Sequence, residues 1–188
     1  MKQLILASES ARRKKILKDR GIKFKISPSN IDEETFEHLE PVKMVETLSL
    51  LKAKKAASKN PNSIILGADT TVVVNNEILS KPKSKADAYQ MLKNLSGKTH
   101  KVITGFAIID SSKEKTIVSH TVTYVTFRKI TDSEINKYLE KADFMDKAGA
   151  YAIQEEGGVF VEQVKGDYLN VVGLPSKVFE YLKEFGVK

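Results

Sequence analysis

The run Ile64-Ile65-Leu66-Gly67-Ala68-Asp69-Thr70-Thr71-Val72-Val73-Val74 constrains this chain more than any other stretch. Its aliphatic and β-branched residues give the strongest strand signal in the sequence. The signal breaks at Asn75-Asn76, a turn, and Glu77–Leu79 reads as the returning arm of a hairpin. Asp69 interrupts the run, and a carboxylate there faces a heavy desolvation penalty unless it meets a cation, a metal or a cleft. Gly67 and Ala68 leave room for something to approach the backbone. Asp69 therefore either pairs with a lysine to fix the sheet or marks a functional site, since interior charges so often do the latter.

Around this strand the pattern alternates. Residues 3–7 read as a buried strand and 11–19 as a helix ended by Gly21; Phe24–Ile26 is a short strand closed by Pro28. Asp32, Glu33, Glu34 and Glu37 form an acidic loop, and Pro41 opens a helix to about Ser58. A helix over 86–95 stops at Ser96-Gly97, and β-branched runs at 100–109 and 116–127 predict an antiparallel pair with one face buried. Thr131 caps a helix through Leu139; strands over 151–153 and 158–164 and a helix over 175–185 close the chain. Strands and helices alternate early and strands pair directly later. That predicts an α/β fold with a mixed, twisted β-sheet and flanking helices. At 188 residues the chain fits one domain, or one domain with a lobe.

The net charge of +7 permits nucleic acid or an anionic small substrate. No basic stretch is interleaved with aromatics, which speaks against nucleic acid. No apolar run is long enough for a bilayer, the start lacks a secretion h-region, and there is no cysteine, so a cytoplasmic location is expected. The chain offers no thiol nucleophile and no histidine cluster; His38, His100 and His120 are dispersed and read as structural. Neither a P-loop nor a Gly-x-Gly-x-x-Gly motif occurs.

Anion chemistry is concentrated at Ser8-Glu9-Ser10-Ala11-Arg12-Arg13-Lys14-Lys15. Ser10 is a natural N-cap, and helix N–H groups, two hydroxyls and two arginines converge at a strand end. A basic first turn opposes the helix dipole, and bound phosphate would offset that, unless these side chains simply reach into solvent. Glu33, Lys52 and Lys81 are unremarkable singly, although Pro82 holds the backbone beside Lys81. In Asp146-Lys147-Ala148-Gly149-Ala150-Tyr151-Ala152-Ile153-Gln154 a small-residue loop feeds a strand ending at Gln154, whose amide can read a base edge. The stretch from Gly166 to Pro175 is dense in turn formers and serves as a tight connection or part of a site.

Together these segments resemble the Maf family of nucleoside triphosphate pyrophosphatases. The resemblance rests on Leu6 to Arg13, Glu33, Lys52-Ala53, Gly67-Ala68-Asp69-Thr70, Lys81-Pro82 and Leu95-Ser96-Gly97-Lys98-Thr99-His100. It continues through Val125-Thr126-Phe127, Asp146 to Gln154 and Val171-Val172-Gly173-Leu174-Pro175. These motifs cover nearly the whole chain in order. One departure is Ala11, where the family usually carries proline; a slightly looser phosphate loop is expected, with the site kept.

The resemblance implies a Maf/ITPase-like single domain over residues 1–188 with a central cleft. It implies hydrolysis between the α and β phosphates with a divalent cation, Mg²⁺ or Mn²⁺. On that basis Asp69 is the general base, Glu33 and Asp69 hold the metal, and Arg13, Lys52 and Lys81 neutralise the triphosphate. Ser8 and Ser10 position the phosphates. Arg12, Thr70 and Gln154 match the branch acting on dTTP and UTP; the alternative branch acts on 7-methyl-GTP. The family is also associated with homodimers, with removal of modified nucleotides and with arrest of septum formation. A reading of another class is a regulator that binds nucleic acid or a division protein without catalysis.

Overall fold

The computed structural model describes residues 2–29, 31–113 and 115–187. Seven strands form one mixed sheet: β1 (Leu4–Leu6), β2 (Phe24–Ile26), β3 (Ile64–Val74), β4 (Glu77–Leu79), β5 (Thr99–Asp110), β6 (Lys115–Phe127) and β7 (Val161–Lys165). Their order is β2-β1-β3-β5-β6-β7, with β4 paired to β3. The helices are α1 (Ala11–Asp19), α2 (Pro41–Ala57), α3 (Lys85–Leu95), α4 (Asp132–Lys141), α5 (Tyr168–Val172) and α6 (Lys177–Glu184). The chain divides into two compact units, and the first division falls inside β3, between Asp69 and Thr70.

One unit gathers the chain up to Asp69, Thr104–Thr121 and the stretch from Gly173. There β1 runs parallel to both β2 and β3, with Leu4 opposite Phe24 and Ile64. Side chains alternate across a strand, so Ile5, Ala7 and Ile65 face Ala53 and Ala56 of α2. Helix α2 lies against the sheet itself: a methyl group on Gly67 would clash with the Ser49 carbonyl, and one on Gly105 with the Val45 carbonyl. The approaching element for which Gly67 leaves room is therefore α2. Phe106, next to Gly105 and on the opposite face, meets Tyr181 of α6, with ring centroids 5.9 Å apart. This accounts for one difference from the sequence expectation. Strand β5 is buried along 102–110 on both faces, because it lies between β3 and β6 and helices cover it.

The other unit comprises Thr70–Ile103 and Val122–Val172. The hairpin of β3 and β4 turns at Asn75 and Asn76, both in the left-handed region at φ 51 and 64, as a two-residue turn between twisted strands requires. Val72, Val74, Leu92 and Leu95 join Ile135, Leu139, Phe127 and Phe160 in one core. Helix α4 starts at the expected Thr131 cap, where Thr131 and Glu134 form a reciprocal capping box. Residues 151–153 do not form the expected strand. Gly149 and Ala150 take left-handed φ of 67 and 62, and the chain enters a turn and then a 3-10 stretch over Glu156–Phe160 before β7. The turn-rich segment contains α5, a short helix that sequence periodicity does not reveal. Among the described residues no helix is long and apolar enough to cross a membrane.

Candidate active site

The chain leaves β1 at Leu6, and Ala7 extends the pairing by donating its N–H to the Leu66 carbonyl at 2.8 Å. Ser10 caps α1, accepting the Arg13 N–H at 3.4 Å, as its sequence position predicts. Ser8 Oγ accepts from Ser10 N–H and from Arg13 Nη1, each at 3.2 Å. Arg13 does not reach into solvent. It is buried, and its Nε donates to the Gly173 carbonyl at 2.8 Å. Burial lowers the guanidinium pKa, the carboxylates of Asp69 and Glu33 oppose that shift, and Arg12 adds to it. An arginine so placed remains a cation at neutral pH. Arg12, also on the first turn, is half-buried.

Asp69 meets its cation. Lys52 Nζ, projecting from α2, donates to Asp69 Oδ1 at 2.6 Å and to Glu33 Oε1 at 2.7 Å. Lys52 and Asp69 are buried, whereas the Glu33 side chain is 36% exposed. A lysine serving only to fix the sheet needs one carboxylate. Here a second arrives from the acidic segment before α2, so the amine is shared between two acids. Ser8, Ser10, Arg13, Glu33, Lys52 and Asp69 are thus collected within one compact unit.

Thr70, Lys81 and Gln154 belong to the other unit. Thr70 is half-buried on β3. Lys81 is exposed in the bend after β4, and the preceding carbonyl, Ser80, accepts the Gly149 N–H at 3.2 Å. Gln154 is exposed and occupies a turn rather than a strand end. Gly157 and Gly158 fold back beneath that turn, where a methyl group would come within 2.9 Å of the Ala152 carbonyl and 2.5 Å of the Ile153 carbonyl.

Each histidine has a structural contact. His38 Nδ1 meets the Thr35 carbonyl, His120 Nδ1 meets Glu46, and buried His100 Nε2 meets Tyr151 Oη at 2.7 Å. Two participants escape sequence reasoning: the Gly173 carbonyl that holds Arg13, and Gly105, which seats α2. Gly173 shows in the sequence as a turn former within the 171–175 segment of the resemblance, with no sign that its carbonyl is used, and Gly105 as a glycine inside a β-branched run.

Among the described residues no group of three or more His, Cys, Asp or Glu side chains is gathered for a metal. Glu33 and Asp69, converging on one amine, are nevertheless hard oxygen donors. They suit a cation that takes one or two carboxylates and fills its shell with water and phosphate oxygens.

A family model described as Maf-like protein matches residues 3–185. The dTTP/UTP pyrophosphatase of Alkaliphilus metalliredigens is 51% identical over 93% of this chain and 91% of its own length. The dTTP/UTP pyrophosphatase of Bacillus anthracis is 45% identical over 100% of this chain and 97% of its own. Among solved structures, a HAM1 protein from Coxiella burnetii gives a TM-score of 0.44 at 15% identity, covering 68% of this chain and 73% of that one. With a family model spanning almost every residue and relatives this close over nine-tenths or more of their length, the chain belongs to the Maf family.

Proposed function

We propose that the chain is a nucleoside triphosphate pyrophosphatase that cleaves dTTP and UTP between the α and β phosphates, leaving the nucleoside monophosphate and pyrophosphate. The observation that carries this is Lys52 shared by Glu33 and Asp69, in a chain 51% identical to a dTTP/UTP pyrophosphatase.

In this reading Asp69 aligns a water molecule on the α-phosphorus and takes its proton as the new P–O bond forms. Lys52 holds Asp69 and Glu33 in fixed positions before substrate arrives and then helps offset phosphate charge. Ser8, Ser10 and the start of α1 donate to phosphate oxygens, while Arg13, buried and held by Gly173, is a preorganised cation for charge developing on the leaving pyrophosphate. Arg12 and Lys81 add positive charge. Thr70 and Gln154 contribute to base choice. Glu33 and Asp69 would hold Mg²⁺ or Mn²⁺, which supplies charge neutralisation and a more acidic bound water. A cytoplasmic homodimer is the setting that family membership favours, and gel filtration of the purified chain checks the dimer.

The test is turnover of dTTP, UTP, GTP and 7-methyl-GTP with Mg²⁺ or Mn²⁺. Pyrophosphate should be the first product, with dTTP and UTP preferred, and chelation by EDTA should stop release. Orthophosphate as first product contradicts the proposal. A preference for 7-methyl-GTP assigns the chain to the other branch.

A further inference from the structure

Among the described residues Lys147 is the most deeply buried lysine, at 4% exposure, and the proposed chemistry makes no use of it. Burying an ammonium is costly unless acceptors surround it. Its Nζ donates to the Asp143 carbonyl and to Asp146 Oδ1 at 2.9 Å, and it pairs with Glu155 Oε2 at 3.3 Å. Asp143 and Asp146 are local. Glu155 lies across a reversal of the chain and is the immediate neighbour of Gln154.

The segment between Lys147 and Glu155 is built to hold one shape. Gly149 and Ala150 both occupy the left-handed region, which an alanine adopts only when its surroundings enforce it. Ala150 donates its N–H to the Lys147 carbonyl at 3.0 Å, and its own carbonyl accepts the Tyr138 hydroxyl at 3.0 Å. Beyond it, Glu155 N–H closes the Gln154 turn on the Ala152 carbonyl at 3.2 Å, and Gly158 N–H returns to the Glu155 carbonyl at 2.9 Å. The Glu155 carboxylate is the side-chain tie from this turn to a buried group.

We propose that Lys147 is a positioning residue: through its ion pair with Glu155 it fixes the turn that presents Gln154 to the nucleobase. This rests on the proposed role of Gln154. An exposed glutamine on an untethered turn would sample many orientations, and a donor–acceptor edge discriminates between bases only when it is held in place.

Glu155→Ala removes the tie at a partly exposed position and leaves the buried lysine its two local acceptors. Lys147→Met removes the cation itself. The readouts are KM for UTP and the inhibition constant of inorganic tripolyphosphate, which has phosphates and no base. Glu155→Ala should raise the UTP KM about fivefold, within the range of couplings between neighbouring side chains. The tripolyphosphate constant should stay within about twofold of its original value, and the KM effect should vanish in a Gln154→Ala background. Lys147→Met, where it folds, should behave likewise. An unchanged KM, a parallel loss of tripolyphosphate affinity, or additivity with Gln154→Ala overturns the inference. No pyrophosphate release by the unmodified protein defeats the proposed activity and this inference together. Normal release with a neutral Gln154→Ala defeats only the base contact and the inference built on it.

Discussion

Lys52 and Asp69 lie 17 residues apart in sequence and 2.6 Å apart in space, on a helix and a strand whose backbones meet at Gly67. The contact depends on Gly67, two residues before Asp69 on β3 and on the same face, because its bare Cα lets the backbone of α2 settle on the strand. Gly105 on β5 does the same one turn earlier along the helix. The candidate catalytic pair is thus a consequence of how closely α2 packs.

Gly67→Ala should therefore damage both stability and chemistry. The added methyl group meets backbone atoms of α2, which cannot move aside as a flexible side chain would. Overpacking of this kind costs about 1–3 kcal/mol, and shifting Lys52 away from Asp69 should lower turnover further. Urea denaturation and steady-state rates measure the two effects; a variant of unchanged stability and activity would show that the close packing is not needed.

Asp69→Asn should reduce turnover at least about a hundredfold while nucleotide binding persists. Asparagine is nearly the same size and still accepts from Lys52, but it takes no proton and carries no charge for a metal. Calorimetric titration with UTP, beside rate measurements, separates the two effects. Turnover like that of the unmodified chain removes Asp69 from the mechanism, and unfolding assigns it to holding the sheet.

Asp69 was legible in the sequence because a carboxylate inside an aliphatic strand is an anomaly at any distance from its partner. Lys52 and Glu33 carried no such signal. One is a lysine in a lysine-rich chain and the other an acid in an acidic loop, and only the packing of α2 makes them neighbours. Local chemistry fixed the Ser10 cap, the Asn75-Asn76 hairpin and the Thr131 capping box, since each is decided within a few residues. Tyr151-Ala152-Ile153 misled because strand propensity competes there with left-handed Gly149 and Ala150 and with the buried ammonium of Lys147. The acceptors that hold that ammonium are gathered only by tertiary structure.

His100 should produce an acid-sensitive stability. Burial lowers its pKa from 6.5 to about 4. The unfolded chain then binds a proton between those values and the folded chain does not. Its contribution is full above pH 6.5 and is lost as pH falls from 6.5 towards 4, amounting to roughly 3 kcal/mol. Denaturation midpoints across that window should slope, and His100→Gln should flatten the slope; an equal slope in the variant assigns it to other groups.

Gln154→Glu should weaken UTP and dTTP turnover more than that of a guanine nucleotide. The glutamine amide offers one donor and one acceptor to a pyrimidine edge, whereas ionised glutamate only accepts. It repels a base carbonyl yet still suits the N1–H and amino group of guanine. A shift in the kcat/KM ratio of about tenfold or more is expected. An unchanged ratio in a folded variant means that Gln154 does not read the base.

Hydrolysis of UTP in H₂¹⁸O tests the central claim most directly. Attack on the α-phosphorus places the label in UMP and leaves pyrophosphate unlabelled, which is the expected result with Mg²⁺ or Mn²⁺ present. Label in pyrophosphate would mean attack on the β-phosphorus, and release of orthophosphate would mean cleavage of a different bond. Either would contradict the assignment of Asp69 as the base that directs water to the α-phosphorus.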